Sequence, residues 1–307
     1  MQALHKNPRR ALNGILLLDK PLDYTSNQAL QVVKRLFGAE KAGHTGSLDP
    51  LASGMLPICF GDTTKFSQFL LEANKTYEVT ARLGQKTATG DAEGEVIAEN
   101  PVPEFTIESL NEACMAFRGV ISQVPSMYSA LKVNGQVLYK LARKGITIDR
   151  PSRQVTIEHL EILDYAHHEL KMRVSCSKGT YIRTLVEDLG DKLGCGAYVS
   201  ALRRSAIAGL SGQTMYTLPT LEALDMAGLD ACLLNLSTAL QGFPVVSLTR
   251  TAAHYLQQGQ AVSLAQINGQ HKWVQLYYNG QFFGMGEVLA DGKIAPSRLL
   301  RPKALVA

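Results

Sequence analysis

The sequence predicts an α+β protein built on a mixed, mostly antiparallel central sheet flanked by helices. Three observations carry that reading. Strand-like and helix-like runs mix without the regular spacing of βαβ units. Residues 154–163 and 170–176 read as paired strands, and Leu170, Met172, Val174 and Cys176 alternate as one buried face requires. Apolar residues make up 46% of the 307 and charged residues 19%, which supplies a sizeable core and excludes a disordered or collagen-like chain. At ~150 residues per domain the length suggests two domains.

Each element has a local reason. Gly14-Ile-Leu-Leu-Leu-Asp19, bounded by Lys20-Pro21, is a short apolar run of the buried-strand type. Ser26 is placed to cap a helix in which Leu30, Val33 and Phe37 share a face, with Gly38 as its stop. A loop rich in Gly and Pro spans Gly43 to Gly54, followed by a strand at 55–60, a helix capped by Asp62 and a strand near 75–83. After a glycine-rich loop at 84–94, Thr106 caps a helix carrying Ile107, Leu110, Cys114 and Phe117 that ends at Gly119. Asn134-Gly135 is a tight-turn signal, and Leu138 and Leu141 anchor a short helix before Gly145. A helix over about 180–193, a strand near 197–206 and a helical stretch at 219–234 complete this part. Phe243-Pro244 then opens a β-rich, glycine-rich segment, with a domain boundary expected near residue 246.

Charge supports the same division. The whole chain carries 31 basic and 27 acidic side chains, a net of +4. Residues 1–246 hold 25 of each, so the excess lies entirely in 247–307, with 6 basic against 2 acidic. Residues 87–117 carry seven carboxylates and no base, whereas 132–153 carry Lys132, Lys140, Arg143, Lys144, Arg150 and Arg153 against Asp149 alone. Such sorting suits one face for a polyanion and another held away from it, although a solvated surface clusters charge in the same way. Five scattered cysteines without metal spacing read as reduced core thiols. The basic N-terminus leads into an apolar run too short for a signal peptide, and no run reaches the ~20 apolar residues that span a bilayer. A soluble, cytoplasmic protein is expected.

Two segments attract chemistry. In the 43–54 loop, glycines shape the backbone around His44 and Asp49, and Pro50 stiffens it. A carboxylate fixed on such a loop suits a site that must hold charge beside a reacting carbon, while turn chemistry alone explains the same pattern. Lys178-Gly-Thr-Tyr181-Ile-Arg183 sits at a strand–helix junction. There Arg183 has the character to keep a carboxylate ionised, or to pair with Glu187 one helical turn on.

Together these segments resemble the tRNA pseudouridine synthases of the TruB type. The likeness rests on Gly43-His-Thr-Gly-Ser-Leu-Asp-Pro-Leu-Ala-Ser-Gly-Met-Leu-Pro57, Asp19-Lys-Pro21 with Thr25-Ser26, and Lys75-Thr-Tyr77. It continues through Pro125-Ser-Met-Tyr-Ser-Ala-Leu-Lys132, Cys176-Ser-Lys-Gly-Thr-Tyr-Ile-Arg183, Gly194-Cys-Gly-Ala197 and Leu202-Arg-Arg204. It runs from about residue 13 to 205, and weakly to the end through Gly284-Met-Gly-Glu287 and Ala295-Pro-Ser-Arg298. Two positions depart from the family pattern. Asp23 stands at a usual glycine, where Asp is one of the few residues that tolerates positive φ, and Ser47 stands where Ala is common.

The resemblance implies a pseudouridine synthase fold over 1–246, with an RNA-gripping insertion at about 124–153, and a small β-rich PUA-like domain over 247–307. It implies isomerisation of the T-loop uridine at tRNA position 55, with no cofactor and no metal. Catalysis would fall to Asp49, Tyr77 and Arg183. His44, Tyr77, Tyr181 and Leu202 would bind the flipped-out nucleotide, and Lys20 would support the loop. The expected partner is tRNA, by its T-arm and its elbow or acceptor region. The enzyme would be a monomer needing no membrane, guide RNA or obligate protein partner. Three other readings share features with it: an RNA-folding chaperone, a guide-dependent synthase, and a retaining glycosidase. The last needs a second carboxyl ~5–5.5 Å from the first, and the two candidate segments, 43–54 and 178–183, contain only Asp49.

Overall fold

The apolar run at the start forms β1 (Gly14–Lys20), buried along nearly its whole length. Leu16 and Leu18 face one core while Ile15 and Leu17 face another, which is why the run is continuous rather than alternating. The structure, a computed structural model, describes residues 9–129, 131–133, 135–264 and 271–300. The next helix, α1 (Ser26–Leu36), is capped by Thr25 and not by Ser26. Thr25 and Gln28 form a reciprocal capping box, so the hydroxyl of Ser26 is free for another task.

The glycine loop is shorter than its composition suggested. It runs between β2 (Ala42–His44) and β3 (Ala52–Phe60), because Gly43 and His44 pair with the far end of β3. Asp62 caps no helix. It lies in a 3₁₀ turn, Gly61–Phe66, and pairs with Lys65 at 2.9 Å, before α2 (Ser67–Glu72). β4 (Lys75–Leu83) follows. The 84–94 loop contains β5 (Gln85–Thr87), which pairs with β6 (Val96–Glu99). Thr106 caps α3 (Ile107–Met115) as expected, but Phe117 lies beyond its end and Gly119 begins β7 (Gly119–Gln123).

In the basic segment, β8 (Lys132–Val133) and β9 (Gln136–Val137) form a small hairpin ahead of α4 (Leu138–Ala142). Asn134, half of the predicted turn, lies outside the described residues. β10 (Arg153–Ala166), β11 (Glu169–Cys176), α5 (Ile182–Lys192) and β12 (Ala197–Ile207) come next. The stretch at 219–234 is two short helices, α6 (Leu218–Glu222) and α7 (Met226–Ala231). Asp225 interrupts it by accepting the Gly228 amide. After α8 (Leu236–Ala239), β13 (Val245–Leu248), α9 (Arg250–Gln257), β14 (Trp273–Tyr278), β15 (Gln281–Val288) and β16 (Ile294–Leu299) end the chain's described part.

Strands β1-β3-β12-β4-β11-β10-β7 form one sheet in that order, with β2 beside β3. Only the β3–β12 pair is parallel among these described strands. Helices α1, α3 and α5 bury Val33, Leu110 and Leu185 against one face. β13-β14-β15-β16 form a second sheet with its own core around Leu256, Val274 and Ile294. The boundary drawn near 246 falls inside β13, all of which belongs to the smaller sheet. Aromatic packing joins the two: Phe69 meets Trp273 at 5.4 Å and Phe243 at 5.7 Å, and Phe66 meets Phe282 at 5.6 Å. All five cysteines are free and buried. Among the described residues no helix is long and apolar enough to cross a membrane.

The parallel contact is close because Gly54 lacks a side chain. Its φ is +98°, and a Cβ there would lie 2.3 Å from the Arg204 carbonyl oxygen. Gly54→Ala is expected to cost about 3 kcal/mol through strain and overpacking, read as a lower midpoint in urea unfolding. An unchanged midpoint would mean that the two strands can separate freely.

Candidate active site

The loop that carries Asp49 is held from three sides. The freed Ser26 hydroxyl accepts the Leu48 amide at 2.7 Å and donates to the Leu48 carbonyl at 3.0 Å, fixing the residue before Asp49. Asp23 N–H donates to the Pro50 carbonyl at 3.0 Å, fixing the residue after it. Asp23 does adopt the left-handed conformation, φ +64°, so its turn survives without the usual glycine. Beneath, the buried guanidinium of Arg204 donates to the Gly46 carbonyl at 2.8 Å and the Met55 carbonyl at 2.7 Å.

Lys20 is fully buried at the end of β1. Its ammonium donates to the carbonyls of Pro21 at 2.7 Å and Tyr24 at 2.6 Å and lies 3.4 Å from that of Pro50. Burial brings its pKa down to about 8, although Asp49 and Asp23 oppose the shift. Lys20 therefore ties the loop's two neighbouring turns together and adds a positive charge behind Asp49.

Asp49 itself remains reachable, with 44% of its side chain exposed. Arg183, on the first turn of α5, places Nη2 3.1 Å from Asp49 Oδ2 and Nη1 3.2 Å from Asp91 Oδ2. Its described ion pairs are these two, so the helical pairing with Glu187 is not the one adopted. The same guanidinium donates to the Thr89 carbonyl at 3.0 Å and the Tyr128 carbonyl at 2.8 Å. Burial pushes the Asp49 carboxyl above its ordinary range. Arg183 pulls it back, Asp91 raises it and Lys20 lowers it.

Asp91 was not singled out from sequence. It sat among seven acids that read as a repelled surface, yet it is buried. Besides Arg183 it accepts from the Thr89 hydroxyl and the Glu93 amide. Its signal was local: an acid just after Thr89-Gly90, in a loop beside the strand that carries Tyr77. It is a second carboxylate near Asp49, but it is enclosed and paired, so it cannot serve as the exposed acid that a retaining glycosidase needs.

The other expected residues are distributed around this pair. Tyr77 is half-buried on β4, directly across from Arg204 of β12. Burial raises its phenol, and Arg204 opposes the shift. His44 is half-buried. Burial and then the nearby Arg204 lower its pKa, which favours the neutral ring. Tyr181 caps α5, and buried Gln123 grips its backbone by accepting from its N–H at 3.1 Å and donating to its carbonyl at 3.3 Å. The structure gives no hydrogen bond from its hydroxyl among the described residues. Leu202, between Ala52 and Val79 in the sheet, lines a cleft of about 470 Å³ with Leu22, Leu51 and Glu93. No metal-binding cluster of His, Cys, Asp and Glu occurs among the described residues.

Residues 34–182 match the model of the TruB family pseudouridylate synthase N-terminal domain. Residues 183–241 match the tRNA pseudouridylate synthase B C-terminal domain, and 244–300 match the Pseudouridine synthase II TruB C-terminal domain. The tRNA pseudouridine synthase B of Coxiella burnetii (strain RSA 493 / Nine Mile phase I) is 54% identical over 300 residues, covering 96% of this chain and 97% of that protein. The chain belongs to the TruB family. The tRNA pseudouridine synthase B of Pseudomonas aeruginosa (strain UCBPP-PA14) is 50% identical over 301 residues, covering 96% and 98%. A chain of the crystal structure of a Cbf5-Nop10-Gar1 complex has the same fold, with a TM-score of 0.74 at 23% identity over 94% of this chain and 85% of that one. The large sheet and its helices are thus the pseudouridine synthase fold, in a TruB-family arrangement with a small β domain after it.

The ion network makes opposite predictions for its two outer members. Removing Arg183 takes away the charge that lowers Asp49, so Arg183→Gln is expected to move the acid limb of the kcat profile to higher pH. Removing Asp91 takes away a charge that raises Asp49, so Asp91→Asn is expected to move that limb to lower pH. Turnover should fall in both variants, because the guanidinium loses part of its support. Rate profiles on T-arm RNA check this, and shifts in the same direction would contradict the arrangement.

Proposed function

We propose that this chain converts the T-loop uridine at tRNA position 55 to pseudouridine, with Asp49 acting at C1′ of a flipped-out nucleotide. One observation carries the reading: an accessible carboxylate is held by an arginine whose charge a second, buried carboxylate already balances. Arg183 can therefore orient Asp49 without depending on it for neutralisation. When the charge on Asp49 is consumed or screened by the reacting sugar, Asp91 still answers the guanidinium.

The chemistry fits these groups. Breaking the bond from C1′ to N1 leaves its electron pair on the uracil and develops positive charge on the sugar. A fixed carboxylate stabilises that charge or takes it up covalently. The uracil rotates, C5 bonds to C1′, and the proton lost from C5 is balanced by one gained at N1. The reaction releases nothing and is redox-neutral. Tyr77 stacks on the uracil, and its hydroxyl stands where a proton has to move. In this reading Leu202 and Tyr181 flank the planar base, as an apolar side chain and an aromatic ring are suited to do. Extruding the base costs about a few kcal/mol, and the neutral imidazole of His44 is suited to stack in the vacated place.

The catalytic domain ends just ahead of β13, and the segment from β13 onward is a PUA-like RNA-binding domain. The basic insertion at about 124–153 grips the T-loop backbone, positioning the RNA while loop shape supplies selectivity. The cationic C-terminal domain reaches the elbow or acceptor region. The enzyme acts as a cytoplasmic monomer without guide RNA or obligate protein partner, and a folding-assistance role on tRNA can accompany catalysis.

Asp49→Asn preserves the shape of the site and removes the charge. It is expected to lower pseudouridine formation on a bare T-arm stem-loop by at least about 10³-fold, with affinity for that RNA changed less than about threefold. Conversion at the ordinary rate would remove Asp49 from the mechanism. Activity of the unaltered enzyme that appears only with added guide RNA would overturn the stand-alone reading. Retained tRNA refolding by the Asn variant would support the folding role.

A further inference from the structure

Among the described residues Arg204 has the largest fully buried side chain, with 1% of the residue exposed. Among the described residues no carboxylate pairs with it, whereas Arg183 has two and Arg203 has Asp19. A buried guanidinium without a counter-ion is costly, and two backbone carbonyls answer only part of its charge. Tyr77 is the direct cross-strand partner of Arg204, so the two side chains stand side by side on one face of the sheet, and β12 has an irregularity immediately after Arg204. On its other side, Nη1 lies 3.3 Å from where a Cβ of Gly46 would be, and Gly46 has φ +71°. The guanidinium thus lies between the catalytic loop and the tyrosine.

We propose that Arg204 is a positioning residue for the isomerisation: it braces the loop at Gly46 and holds the Tyr77 hydroxyl oxygen as an acceptor, which turns the phenol proton toward the cleft. The direction follows from chemistry. Arginine has five N–H donors and no acceptor, so the phenol oxygen must accept and its own hydrogen must point elsewhere. The same charge favours the phenolate, so a proton passing through Tyr77 leaves behind a stabilised oxygen. Cys176 and Asp49 are the other titratable groups near Tyr77, and their charges act in the opposite sense. The inference rests on Tyr77 lying against the uracil and assigns what sets its proton.

The test compares single-turnover rates and KM on T-arm RNA for Arg204→Gln, Arg204→Lys, Tyr77→Phe and the Arg204→Gln/Tyr77→Phe double variant. Each Arg204 change is expected to lower kcat at least about tenfold with KM within about threefold, and to move the tyrosine-linked limb of the pH profile upward. The double variant should lose much less than the product of the two single losses, because only the loop-bracing part of the Arg204 effect survives without the hydroxyl. If Tyr77→Phe is slow and the losses multiply, Arg204 does not act through the hydroxyl and the inference falls, while the reading of Tyr77 stands. Full activity in Tyr77→Phe would instead overturn that reading, and the inference with it. Should the Arg204 variants fail to fold, the thermal stability of Tyr77→Phe decides. Loss of the acceptor should lower its midpoint by several degrees, and an unchanged or higher midpoint would contradict the hydrogen bond.

Discussion

Arg183 carries a charge that the fold almost completely encloses, and that charge has to be answered from fixed directions. Asp91 answers it from within, two carbonyls answer part of it from the flanking loops, and Asp49 answers it from the side that solvent and substrate can reach. One guanidinium between two carboxylates leaves a net negative charge, and Lys20 behind the loop offsets it. The result is a carboxylate whose orientation is set before substrate arrives, which is the electrostatic preorganisation that the proposed chemistry at C1′ would call for. One of those carbonyls belongs to Tyr128, inside the basic insertion, so the segment expected to grip RNA is hydrogen-bonded to the group that aims Asp49.

The rest of the architecture serves this constraint. Asp49 lies on the connection into β3, the strand that pairs with β12 at one end and with β2 at the other. Ser26, Asp23, Lys20 and Arg204 pin that connection from separate elements, so no single contact bears the whole load. Arg183 starts α5, whose entry is gripped through Tyr181 by Gln123 on the edge strand β7. The site is therefore assembled by residues far apart in sequence, and the sheet sets their spacing.

Much of this was legible beforehand, and the rest was hidden for identifiable reasons. Alternation in 170–176 and the continuous apolar run at 14–20 announced strands, because one is buried on one face and the other on both. The loop at 43–54 stood out through its glycines and Asp-Pro. Thr25 and Ser26 are equally good caps on paper. Tertiary structure chose between them, since Ser26 is needed at Leu48. Asp62 looked like a cap, but it lies inside a 3₁₀ turn, and its own amide is met by Asn13 Oδ1. Asp91 was missed because charge counts treat a buried acid and a solvated one alike. Arg204 belonged to a quoted motif, yet nothing in Leu-Arg-Arg says which arginine turns inward. In the strand, Arg203 points to Asp19 and Arg204 to the core.

The central claim is that Arg183 sets the ionisation and aim of Asp49 in the free enzyme, and the most direct measurement is the titration of Asp49 itself. Its side-chain carboxyl carbon can be followed by NMR in protein labelled at aspartate and assigned through Asp49→Asn, with and without the Arg183→Gln change. The expected result is a titration midpoint that moves to higher pH when Arg183 is replaced. A midpoint that stays in place would contradict the claim, because the guanidinium would then be a neighbour of the carboxylate without governing it.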